Sequence, residues 1–173
     1  MHPMTGLNYF LLIAFPALLV AAAVSDLVTM TIPNRIPLLI LAVFAPAAWA
    51  AGLDLQLIGW HLAVGAIVLV VCFGMFAMNL IGGGDAKFAA AIALWIGPFY
   101  ALLEWTLLFA LYGGALTLLL LAFRRLPLPV SLMSRDWIAR LHAPKGKVPY
   151  GIALSAAALT VYPASNIFLR LAV

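Results

Sequence analysis

Acidic side chains are scarce in this sequence, five among 173 residues, and two of them, Asp26 and Asp85, stand at the edges of long apolar runs. Aspartates at one depth on different helices of one bundle could divide the work of hydrolysis. One is ionised to activate water, and the other is protonated to donate to the scissile carbonyl. Within hydrogen-bond reach they cannot easily both ionise, so they share a proton. Asp85 follows Gly82-Gly83-Gly84 and precedes Lys87; the glycines permit a tight turn and close approach of another backbone, as an extended peptide would need. Read separately, Asp85 could be a helix N-cap after a glycine turn, and Asp26 an interfacial residue wetted by headgroups.

The elements that would position the pair follow from composition. The chain is 67% hydrophobic and 8% charged, outside the range of soluble domains, where about a quarter of residues are charged. An all-α, polytopic integral membrane protein is expected, with residues 1–173 forming a single membrane-embedded domain. A spanning helix needs about 20 apolar residues, and six fit. They are expected over 7–24, 36–52, 58–80, 85–103 with a kink at Gly97-Pro98, 106–123, and 148–169. Pro33-Asn34-Arg35 marks a turn. Asp54 lies in a short polar turn at 53–57, and Glu104-Trp105 in the turn before the fifth helix. Between the fifth and sixth helices, Val130, Met133, Trp137 and Leu141 recur at helical spacing, which predicts a short helix in the membrane interface. The first apolar run is read as a retained helix rather than a leader, since no Lys or Arg precedes it.

Six spans decide which loops share a side. One side collects Arg35, Lys87, Arg124, Arg125, Arg135, Arg140, Lys145 and Lys147, and the other only Arg170. The positive-inside rule makes the first side cytoplasmic and puts both termini on the opposite, periplasmic side. Asp26 and Asp85 then share the cytoplasmic edge, while Asp54 and Glu104 are solvated at the other. The net charge of +4 belongs to these loops and to anionic lipid rather than to a nucleic-acid surface. His2, His61 and His142 fall on both sides and cannot converge on a metal, and the single cysteine, Cys72, builds neither a disulfide nor a Cys-based zinc site. No metal or organic cofactor is expected. At rest, Asp85 at a helix N-terminus is expected to hold more of the negative charge, and Asp26 at a helix C-terminus more of the proton.

Ser25-Asp26 with Ile32-Pro33-Asn34-Arg35, Gly82-Gly83-Gly84-Asp85-Ala86-Lys87 heading a helix, and Lys147-Val148-Pro149-Tyr150-Gly151-Ile152-Ala153 opening the last one together resemble the type IV prepilin peptidases. These are GxGD-type aspartic proteases of the bacterial inner membrane, and the similarity is to their short, peptidase-only members of the Flp or tight-adherence pilus type. The resemblance runs from the first helix to the last. It implies that Asp26 and Asp85 are the catalytic pair and that the substrate is a prepilin or pseudopilin, cleaved after a short basic leader at the cytoplasmic face, in pilus or secretion-system biogenesis. Longer members carry a cysteine-bearing zinc region and methylate the new N-terminus, an activity not expected here.

The other residues of these motifs have two readings each. Lys87 tunes Asp85 or contacts substrate, or anchors to headgroups. Asn34 bonds near Asp26 or makes the turn. Pro149, Tyr150 and Gly151 shape the entry of the last helix, with Tyr150 equally an interfacial aromatic. Asp136 is the one acid in the basic segment that could attract a basic leader. Two rival functions are a small proton-coupled transporter, which would place its acids near the midplane in repeated halves, and a non-catalytic pilus-assembly subunit.

Overall fold

The computed structural model describes residues 6–98, 100–144 and 146–172; His2 and Lys145 lie outside them. Among the described residues the chain is all-helical: α1 (Gly6–Thr29), α2 (Arg35–Ala50), α3 (Leu55–Ala77), α4 (Gly83–Ile96), α5 (Tyr100–Phe123), α6 (Val130–Met133), α7 (Asp136–His142), α8 (Tyr150–Val161) and α9 (Asn166–Leu171). Three of them, α1, α3 and α5, are long and apolar enough to cross a membrane; α2 and the stretch from Tyr150 to Ala164 are shorter apolar helices. Large apolar side chains such as Val70, Phe73, Leu118 and Leu119 point outward, as expected where the surrounding medium is lipid rather than water.

The centre is α4. Every residue from Phe88 to Ile96 is buried, so this helix is enclosed on all sides, which its uninterrupted apolar sequence permits. It packs against α2, α3 and α8. Gly65 brings α3 close, because a Cβ there would stand 3.1 Å from the Cβ of Leu94. Trp95 anchors the other side, stacked on Phe15 of α1 at 4.5 Å between ring centroids, with its indole N–H donating to Ile40 O at 2.8 Å. α8 lies between α1 and α5, tied by Ser155 Oγ to Leu19 O and by Trp105 Nε1 to Leu154 O. A hydroxyl or indole N–H is tolerated there because each finds a carbonyl.

Several boundaries differ from those expected. The first helix runs on past Ser25 to Thr29 and stops where Met30 takes φ 56, so Asp26 lies inside its last turn. Asp54 caps α3 by accepting from Leu57 N–H at 2.7 Å. The fourth helix does not continue through a kink to residue 103. It ends at Ile96, since Gly97 adopts φ 82 and Pro98 has no N–H to continue the ladder. Glu104 and Trp105 consequently lie within α5. The single interfacial helix is two, α6 and α7, separated at Ser134 and Arg135. The last helix begins at Tyr150 and is interrupted by a 3-10 turn at Tyr162–Ala164 and by Ser165, whose side chain caps α9.

Candidate active site

Asp26 and Asp85 line one cavity of about 720 Å³ at one end of the bundle, together with Thr31, Asn34, Asn79, the three glycines, Lys147 and Tyr150. That volume is in the range of small-ligand and peptide sites. The two carboxylates interact electrostatically, and Lys147 is the cation coupled to Asp85.

Each carboxylate lies against a glycine backbone. Asp26 is 4% exposed, and its Oδ2 accepts from Gly151 N–H at 2.7 Å. Gly151 is the second residue of α8, so its amide is one of the donors that a helix N-terminus leaves without an internal partner. The approach demands glycine: a Cβ at 151 would stand 2.8 Å from Asp26 Oδ2 and 2.8 Å from Ile32 Cδ1. Asp85 is the third residue of α4, and its carboxylate folds back toward the N-cap residue Gly82, where a Cβ would stand 2.9 Å from Asp85 Oδ2. Gly84 lets the start of α4 approach the 30–34 turn, since its Cβ would lie 3.3 Å from Ile32 O.

Both carboxylates thus stand at the N-terminus of a helix, Asp85 in the first turn of α4 and Asp26 on an amide of α8. The expected division of charge rested on Asp26 having only a helix C-terminus beside it, and α8 removes that basis.

The supporting residues divide. Asn34 precedes α2 without capping it; its Oδ1 accepts from Lys87 Nζ at 3.1 Å. Lys87 is therefore turned toward α2 and lines a separate, apolar groove of about 400 Å³ between α2, α3 and α4, which also includes Leu38, Leu69 and Ala90. Pro149 is the buried N-cap residue of α8. The Tyr150 hydroxyl pairs with Thr117 Oγ1 on α5 at 3.3 Å. Lys147, in the sequence a loop charge and the head of the Lys147-Val148-Pro149-Tyr150-Gly151 run but not a candidate site residue, is the lysine lining the aspartate cavity. Asn79, in the left-handed region at φ 58, carries no sequence signal.

The sequence profile described as the type IV leader peptidase family matches residues 13–122. Among curated proteins, the chain is 32% identical over 127 residues to the protein named prepilin leader peptidase/N-methyltransferase of Bacillus subtilis (strain 168), an alignment covering 72% of this chain and 51% of the relative. The chain thus spans about half the length of that protein. No solved structure matches it.

Proposed function

Because this chain belongs to the type IV leader peptidase family, we propose that it is a membrane aspartic endopeptidase that removes the short basic leader from prepilins or pseudopilins, with Asp26 and Asp85 as the catalytic pair. The observation that carries the assignment is the shared cavity: the two carboxylates come from different helices, interact, and face a common space. Water is the nucleophile. The pair orients and deprotonates it, and the carboxyl bearing the shared proton donates to the oxygen of the scissile carbonyl. Gly151 N–H fixes the Asp26 carboxylate before substrate arrives, so little reorganisation of that group is left for the reaction itself.

In this reading α1 to α5 and the segment from α8 through α9 make six spans in the bacterial inner membrane, with α6 and α7 at the interface. The aspartate end is cytoplasmic, a placement supported by the basic residues of the 124–147 segment at that end. The substrate belongs to a type IV pilus, of the Flp type, or to a related secretion system. The proposal covers cleavage and not methylation, since the sequence has one cysteine and no Cys-based zinc site can form within it.

The test is cleavage of a prepilin by the purified protein in proteoliposomes, comparing wild type with Asp26→Asn and Asp85→Asn. Each substitution should lower kcat by at least about a hundredfold, the scale of losing a general acid or base. Undiminished cleavage in either variant removes the proposal.

A further inference from the structure

We propose that Arg124 is a positioning residue for the aspartate pair: its guanidinium clamps the turn ahead of α8, which holds Gly151 N–H on Asp26 and Lys147 beside Asp85. The catalytic consequence rests on the peptidase reading; the clamp itself does not.

Arg124 directly follows α5, with its backbone N–H on Leu120 O. From there its side chain reaches three carbonyls of the segment that crosses to α8. Nε donates to Leu141 O at 2.8 Å, and Nη2 donates to Gly146 O at 3.0 Å and to Lys147 O at 2.9 Å. Leu141 is in the last turn of α7, where carbonyls lack helical partners. Gly146 and Lys147 lie in irregular chain, where no ladder would satisfy them. One planar cation with several N–H groups in a fixed fork meets this need, and an ammonium on a flexible stem does not reproduce it. The clamp is tight: a Cβ at Gly146 would stand 2.8 Å from Arg140 O and 3.1 Å from Arg124 Nη2.

Only Val148, Pro149 and Tyr150 separate the clamped Lys147 carbonyl from Gly151. Pro149 is buried and has its φ fixed by its ring, so little slack exists between the clamp and the amide that holds Asp26. A second fastening comes from Arg140 on α7, whose Nη2 donates to Val28 O at 2.7 Å, two residues beyond Asp26. The α7 segment is thereby pinned to α5 on one side and to α1 on the other. Neither arginine lines the aspartate cavity, so Arg124 acts through the chain it holds.

The experiment uses the full chain in proteoliposomes as wild type, Arg124→Ala, Arg124→Lys and Arg125→Ala. The last removes the neighbouring, exposed charge and controls for net charge. Hydrogen exchange of the segment containing Gly151 is read without substrate, and kcat and KM are read with a prepilin. In Arg124→Ala, exchange at that segment should rise and kcat should fall, each by about tenfold, the scale of a lost charge-assisted hydrogen bond, with KM nearly unchanged. Arg124→Lys should fall between it and wild type, and Arg125→Ala should match wild type. Wild-type exchange at Gly151 in Arg124→Ala overturns the clamp, as does an equal fall of kcat in Arg125→Ala. If Arg124→Ala fails to insert, Arg124→Lys decides: wild-type exchange and kcat overturn the proposal, and intermediate values uphold it. Absence of cleavage by the wild type would sink the peptidase reading, and with it the catalytic consequence, while exchange still decides the clamp.

Discussion

Asp26 and Gly151 constrain each other in both directions. The carboxylate is nearly buried and takes its backbone donor from a helix on the far side of the sequence, and the donor must be glycine because the carboxylate occupies the space of a Cβ. Gly151→Ala should therefore push α8 and Asp26 apart and lower kcat by about tenfold or more, the scale of losing a hydrogen bond to a charged group. Prepilin cleavage at saturating substrate, checked against an unchanged far-UV helix signal, tests this. At this scale the sequence was readable as far as scarcity of charge singles out two acids at the ends of apolar runs, each with a rival reading as a helix cap or an interfacial residue. It was not readable for the lysines. Lys87 is two residues from Asp85, yet it turns to Asn34. Lys147 is distant in sequence and reaches the aspartates because Arg124 and Pro149 deliver it, and spacing carries no record of such delivery.

Among the elements, α4 shows most directly how helices set the site. Its first turn presents Asp85, its middle is enclosed, and its end is fixed by a contact with α3. Gly97 ends the helix at φ 82 against the ring of His61; the buried His61 Nδ1 pairs with Leu94 O at 2.7 Å. Gly97→Ala meets both a disfavoured φ and the imidazole, and should lower stability by more than about 1 kcal/mol. Thermal unfolding in detergent measures it, with unchanged unfolding contradicting the contact. Gly97-Pro98 was visible in the sequence as a disturbance. Whether it kinks one helix or divides two depends on His61, 36 positions earlier, which no local pattern reports. The same holds for α1: its apolar run fades at Val24, but backbone hydrogen bonding carries the helix to Thr29, and Asp26 is inside it as a result.

For the molecule as a whole, the expected orientation is a count of loop charges; the structure sets Lys147, Arg124 and Arg140 at the aspartate end, and labelling tests which side that end faces. In cells carrying Cys72→Ala, a membrane-impermeant maleimide applied from outside should label Leu55→Cys and leave Ser134→Cys unlabelled until the membrane is opened. The reverse pattern contradicts the orientation. Helix lengths were poorly legible, since hydropathy merges helices with the turns that flank them. α2 has 16 residues and α4 has 14, against 24 in α1 and in α5.

At a rise of 1.5 Å per residue, α2 and α4 are about 24 and 21 Å long, and α1 and α5 about 36 Å, while a bilayer's hydrocarbon core is about 30 Å. α2 and α4, the latter carrying Asp85, are thus shorter than the medium, and α1 and α5 are longer. In the six-span reading lipid would thin beside α2, whose Leu38, Leu39 and Leu41 face outward while α4 is enclosed, and that hydrophobic mismatch favours bilayers with short acyl chains. Thicker bilayers would draw hydrocarbon over the aspartates and hinder their hydration. Cleavage in proteoliposomes should accordingly slow as acyl chains are lengthened, and a rate indifferent to chain length would mean that the protein shields its site from membrane thickness.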